Sequence, residues 1–138
     1  MLSEERRDVS KVRLEIAKER ITFAYEIMKI GDYKTVANRS YYAVFAAIRA
    51  VLALDGLDFK KHSAVISEFR RRYIKTEILP KELSEIIDNL VEIRQGSDYD
   101  DFYVVGKGEI EQQLQNADAF VSTIEQYLKT QYKTEDPK

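Results

Sequence analysis

The chain has no cysteine, no tryptophan, two prolines, five glycines and one histidine among its 138 residues. Each scarcity excludes something. Without cysteine there is no disulfide and no thiolate metal site. With His62 as the sole imidazole, no histidine pair can hold a metal, so neither metal nor cofactor is expected. No apolar run approaches the ~18–20 residues of a membrane-spanning helix; the longest, Tyr41 to Leu54, is interrupted by Arg49. The first residues, Met1-Leu2-Ser3-Glu4-Glu5-Arg6-Arg7, lack a signal-peptide core. A soluble cytoplasmic protein is the expectation. The length suits one domain over residues 1–138, able to bury a core unaided, with a polar tail from Lys133 expected to fray.

The few glycines and prolines fall between periodic segments. A first helix is expected from Ser3 or Val9 to Ile30, with Leu14, Ala17, Ile21, Ala24 and Met28 as its inner seam. A second runs from about Lys34 to Leu54 and is apolar nearly all round between Tyr41 and Ile48, as suits a helix enclosed by neighbours. Asn38, Tyr42, Phe45 and Arg49 share one stripe of it, a polar thread that a core would satisfy with hydrogen bonds. A short basic helix is expected from Ser63, its candidate N-cap, to Tyr73, with Val65, Ile66, Phe69 and Tyr73 inward. A third long helix should run from Pro80 to Gln95, stopped by Gly96. Residues 96–108 read as an ordered loop. The last helix, about Gly108 to Gln131, has the most regular seam: Ile110, Leu114, Ala117, Val121, Ile124 and Leu128. The fold class is all-α, an up-and-down four-helix bundle with an additional short helix.

Net charge is −2, which gives no global attraction to nucleic acid. Charge is segregated, however. Residues 60–75 carry a net +5 and residues 82–111 a net −7. Such patches suit self-association or a protein partner as well as RNA, and each also reads as an ordinary solvated face. The sharpest local feature is a stripe, Leu83, Ile87, Leu90, Arg94, that closes on a guanidinium. A cation on a core-facing stripe is costly unless something anionic or hydrogen-bonding meets it. Arg94 therefore either caps the helix and pairs with Asp98 or another acid, or meets a partner's phosphate. Asp98 and Tyr99 read as an anchored turn or as part of a site. His62 is either a surface residue at a helix start or an imidazole folded back toward Arg94. Nothing resembles a phosphate-cradling glycine loop, a metal-ligand cluster or a serine triad.

Several segments together resemble the HEPN family of small all-helical prokaryotic proteins. They are Asn38 to Ala50, Lys60-Lys61-His62-Ser63, Phe69-Arg70-Arg71-Arg72-Tyr73 and Arg94-Gln95-Gly96-Ser97-Asp98-Tyr99. The order and spacing match a branch with a tyrosine-rich second helix, over about residues 10–130. The resemblance implies a bundle that dimerises, often encoded beside a minimal nucleotidyltransferase. Some relatives are metal-independent RNA-cleaving toxins that this partner neutralises. Their signature is an arginine, four to six residues, then a histidine. Arg94 matches the arginine, while Tyr99 stands where the histidine would fall. The resemblance assigns catalysis to Arg94 and Tyr99, and groove-lining or binding roles to Asn38, Tyr42, Arg49, His62 and Asp98. In relatives with a tyrosine near the motif, a partner transfers nucleotides onto it; here Tyr99 or Tyr103 would be the acceptor.

The departure has chemical weight. RNA cleavage of this type activates a 2′-hydroxyl, and imidazole suits that proton transfer because it titrates near neutrality. A phenol with pKa near 10 is ionised about one part in a thousand at pH 7. Two functions follow: a toxin-like HEPN component with weak, metal-independent action on RNA, or a non-catalytic dimeric interaction module.

Overall fold

The structure, a computed structural model, describes residues 3–99 and 106–134. Helix α1 spans Glu4–Lys29, α2 Tyr33–Leu54, α3 His62–Phe69, α4 Glu82–Tyr99 and α5 Lys107–Thr134; one π-helical turn, Arg70–Ile74, extends α3. Among the described residues there is no strand. The fold is the expected all-α bundle of α1, α2, α4 and α5 with a short fifth helix.

Local chemistry explains most boundaries. Ser3 accepts a hydrogen bond from the Arg6 amide (3.1 Å), with Glu4 and Glu5 beside the positive end of α1. Asp32 caps α2 through the Thr35 amide and hydroxyl. Between them Gly31 takes φ +79°, which a Cβ would oppose. Gly56, after α2, has φ +72°, and a Cβ there would lie 2.6 Å from the Arg6 guanidinium carbon.

Helix α2 is the centre of the molecule, touching α1, α3, α4 and α5. Its residues Val36, Ala37, Ala43, Val44, Ala47, Ile48, Val51 and Leu52 are buried. The α5 seam from Ile110 to Leu128 is buried throughout, as are Leu14, Ala17, Ile21 and Ala24 of α1; Met28, expected with them, is half-buried.

Three local expectations are corrected. Helix α3 starts one residue before Ser63, with Lys61 at the N-cap position and no side-chain cap, so Ser63 lies inside the first turn. Helix α4 starts at Glu82 and runs through Gly96 to Tyr99. One interior glycine costs only about 1 kcal/mol relative to alanine, and the buried stripe Leu83, Ile87, Leu90 and Ile93 outweighs it. Finally, the basic segment around residues 70–72 does not form an open positive patch. Arg70 pairs with Asp88, Arg71 with Glu68, and Arg72 with Glu68 and more distantly Asp55. Two of these bridges are i,i+3 or i,i+4 contacts made possible by helical continuation of α3 into the π turn.

Candidate functional site

At the end of the α4 stripe Arg94 meets two tyrosines. Its guanidinium carbon lies 4.7 Å from the centre of the Tyr41 ring and 5.2 Å from that of Tyr42, and it donates a hydrogen bond to the Tyr42 hydroxyl (3.1 Å). Two aromatic faces thus hold the cation at the edge of the core, where a guanidinium is best matched. Tyr41 is buried and Tyr42 half-buried, in edge contact with each other.

His62 comes to the same place. Its ring packs 4.0 Å from Phe45, and its Nδ1 shares a 2.9 Å hydrogen bond with the Tyr41 hydroxyl. Both sequence readings hold in part: His62 is the first residue of α3, and its ring packs on Tyr41, Tyr42 and Phe45, the first two of which also hold Arg94. Burial, followed by the charges of Arg94 and Arg49, lowers its pKa below the usual histidine value. His62 is therefore neutral at pH 7, with Nε2 left for another partner. Burial raises the Tyr41 pKa against the pull of Arg94, so that phenol stays protonated.

Arg49 donates to both carboxylate oxygens of Asp58 (3.0 Å each), and Arg13 reaches the same aspartate at 3.2 Å. Burial alone would raise the Asp58 pKa, but the Arg49 hydrogen bonds and the charges of both arginines win and lower it. Phe45, Arg49, Asp58, Phe59, Lys60 and His62 line a cleft of about 510 Å³. Its charged lining is one guanidinium, one ammonium and one carboxylate, beside a neutral imidazole able to take a proton.

The expected polar thread along α2 splits. Tyr42 turns to Arg94 and Arg49 to Asp58, while among the described residues no hydrogen bond reaches the Asn38 side chain. Asp98 and Tyr99 occupy the last turn of α4, but their side chains, and all of Tyr103, lie outside the described residues. Sequence reading missed Arg13, Arg20, Arg39 and Asp58. Arg20 donates to the Tyr42 carbonyl (3.2 Å) and stands over its ring; Arg39 lies over Phe23. The available signal was the seven-residue spacing of Arg13 and Arg20 beside the α1 seam. Among the described residues no group of histidine or carboxylate side chains could hold a metal, and no helix is long and apolar enough to cross a membrane.

A model of the HEPN domain matches residues 10–127. The chain belongs to the HEPN domain family. Relatives include a "UPF0332 protein" of Thermotoga maritima, 30% identical over 81% of this chain and 85% of that protein. Another is "Putative toxin MJ0142" of Methanocaldococcus jannaschii, 30% identical over 89% of this chain and 83% of its own length. Among solved structures, TT1696 from Thermus thermophilus superposes with a TM-score of 0.71 at 20% identity, covering 85% of this chain and 96% of that one. That likeness shows the fold alone. Within this HEPN domain, Arg94 of α4 and His62 of α3, 32 positions apart in the chain, both pack against Tyr41 and Tyr42.

Proposed function

We propose that this HEPN domain is a toxin-like protein that acts on RNA without a metal, with Arg94 binding the scissile phosphate and His62 moving the proton. The name of the M. jannaschii relative supports the toxin-like class. The observation that carries the chemistry is the convergence of Arg94 and His62 on Tyr41 and Tyr42. On this reading His62 of α3 takes the part of the motif histidine, whose position Tyr99 occupies in this chain. In the step envisaged, neutral His62 accepts the 2′-hydroxyl proton, the 2′-oxygen attacks phosphorus, and the bond to the 5′-oxygen breaks as that oxygen takes up a proton from solvent water. Arg94 stabilises the charge on the non-bridging oxygens. Tyr99 serves as a phosphate-orienting hydroxyl. The protein works as a homodimer opposed by a nucleotidyltransferase partner, which uses Tyr99 or Tyr103 if it modifies the chain.

The test is incubation of the purified protein with structured RNA, with and without chelator. Cleavage should survive chelation and be lost in both Arg94→Ala and His62→Ala. Cleavage unchanged by Arg94→Ala, or abolished by chelator, would refute the mechanism. The tyrosine at position 99 favours one competing reading, a non-catalytic dimeric interaction module. Absence of cleavage in both the native protein and Tyr99→His would establish that reading instead.

A further inference from the structure

Helices α1 and α2 pack antiparallel, and their contacts keep one register. Arg13 reaches the Arg49 carbonyl (3.4 Å), Arg20 the Tyr42 carbonyl (3.2 Å), and Arg39 lies 5.5 Å from the centre of the Phe23 ring. The three pairs are rungs of one seam that stretches ten residues along α1, about 15 Å. Carboxylates are unevenly spread along it. Asp58 meets Arg13 and Arg49 at one end. Among the described residues no carboxylate forms an ion pair with Arg20 or Arg39. These two cations repel each other, which together with burial lowers the Arg20 pKa. Like charges held together without a counter-ion raise the energy of the unliganded protein, and an anion bound between them relieves it.

The seam also joins the site already described. The Tyr42 ring has Arg94 at 5.2 Å and Arg20 at 5.9 Å, so a single phenol separates the two guanidiniums. Beyond Arg39 lies Phe23, 47% exposed although large and aromatic. Alternating cations and aromatic faces are what an unpaired polynucleotide uses: phosphates on guanidiniums, bases on rings. A double helix would present its bases inward and leave Phe23 without a partner.

We infer that the α1–α2 seam is a binding track for single-stranded RNA, leading from Arg94 past Tyr42 and Arg20 to Arg39, with Phe23 as a base-stacking platform at its far end. From Arg20 to Phe23 the track advances three residues along α1, about 4.5 Å, which at the ~3.4 Å rise per stacked nucleotide holds about one to two nucleotides beyond the phosphate on Arg94. The inference rests on the RNA reading of Arg94 and His62 and adds the substrate's form: a short unpaired segment.

The experiment measures fluorescence anisotropy with labelled 2′-O-methyl oligoribonucleotides of two to eight nucleotides, which bind but cannot be cleaved through the 2′-oxygen. Affinity should rise with length and level off at about three nucleotides. Arg20→Gln and Arg39→Gln should each reduce the slope of log affinity against log salt by about 0.7. Phe23→Ala should weaken the longer probes about tenfold or more and spare the dinucleotide, whereas Phe23→Tyr should bind as the native protein does. Circular dichroism melts establish that the variants are folded, and light scattering reads their mass. If Arg94→Ala loses binding while Arg20→Gln, Arg39→Gln and Phe23→Ala bind all lengths normally, the track is refuted and the Arg94 site stands. If the native protein binds no oligonucleotide, both fall. If Phe23→Ala halves the mass of the assembly and leaves probe binding intact, the face is a protein interface and the track is again refuted.

Discussion

Two sets of arginines occupy this molecule, and their fates are opposite. Arg70, Arg71 and Arg72 are consecutive, the densest positive run in the sequence, yet Asp88, Glu68 and Asp55 meet them. Glu68 is held down to about 2 by hydrogen bonds from Arg71 and Arg72 and by their charges, which outweigh desolvation. Arg13, Arg20, Arg39, Arg49 and Arg94 are spread over 82 positions and converge on one side of α2, where Asp58 pairs with Arg13 and Arg49 and, among the described residues, no carboxylate pairs with Arg20 or Arg39. Charge density along a chain is thus a poor guide to field strength in space. A run of cations on an exposed helix draws its own acids within a turn or two, whereas cations on different helices keep theirs only if the fold brings acids to the same face.

The contrast can be broken most directly at Arg94. Arg94→Ala should reduce RNA cleavage by about 100-fold or more, the loss typical of one well-placed charge donor, while Arg71→Gln changes it less than twofold. Equal losses in a cleavage assay would erase the distinction between the two sets.

A smaller effect comes from proton linkage at His62. Its folded pKa is lowered, first by burial and then by Arg94 and Arg49, so the unfolded chain binds the proton more tightly. The associated stability is fully present above the ordinary histidine pKa of 6.5 and is lost as pH falls below it toward the folded value. Thermal melts between pH 7.5 and 5 should show a steeper loss for the native protein than for His62→Gln, and cleavage should decline over the same interval. Parallel melting curves for the two proteins would contradict the lowered pKa.

Smaller still is the effect of opening the compensated set. Glu68→Gln removes the shared acid of Arg71 and Arg72, and at low salt it should tighten RNA binding a few-fold, the gain vanishing at higher ionic strength. Titrations at two salt concentrations test this; unchanged binding at low salt would mean that Glu68 does not mask those cations. The least effect is expected from Arg71→Gln on stability, too small for a denaturant titration to resolve, since an exposed bridge contributes little.

How far each feature was legible depended on its range. The α5 seam was read from spacing alone, and Ile110, Leu114, Val121, Ile124 and Leu128 are all buried as expected. Arg94 announced itself by ending an apolar stripe. Asn38 did not join the network that its position on the Tyr42–Arg49 stripe suggested, because those two residues found partners on α4 and in the segment between α2 and α3. Gly96 misled because it marks a helix end only when the tertiary contacts allow the chain to leave; here α4 continues to Tyr99.

Apolar periodicity, caps and the Arg94 motif are properties of a few consecutive turns, so the sequence by itself determined the helical bundle and its inner faces, and named Arg94, Tyr42, Arg49 and His62 as candidates for the site. The identity of the other members was decided by the packing of α1, α2, α3 and α4. Whether His62 faces solvent or Tyr41, and whether an arginine has an acid beside it, depends on which helix turns adjoin across the core. Those neighbours are set by the burial of α2 among four other helices, and no local pattern in the chain encodes them.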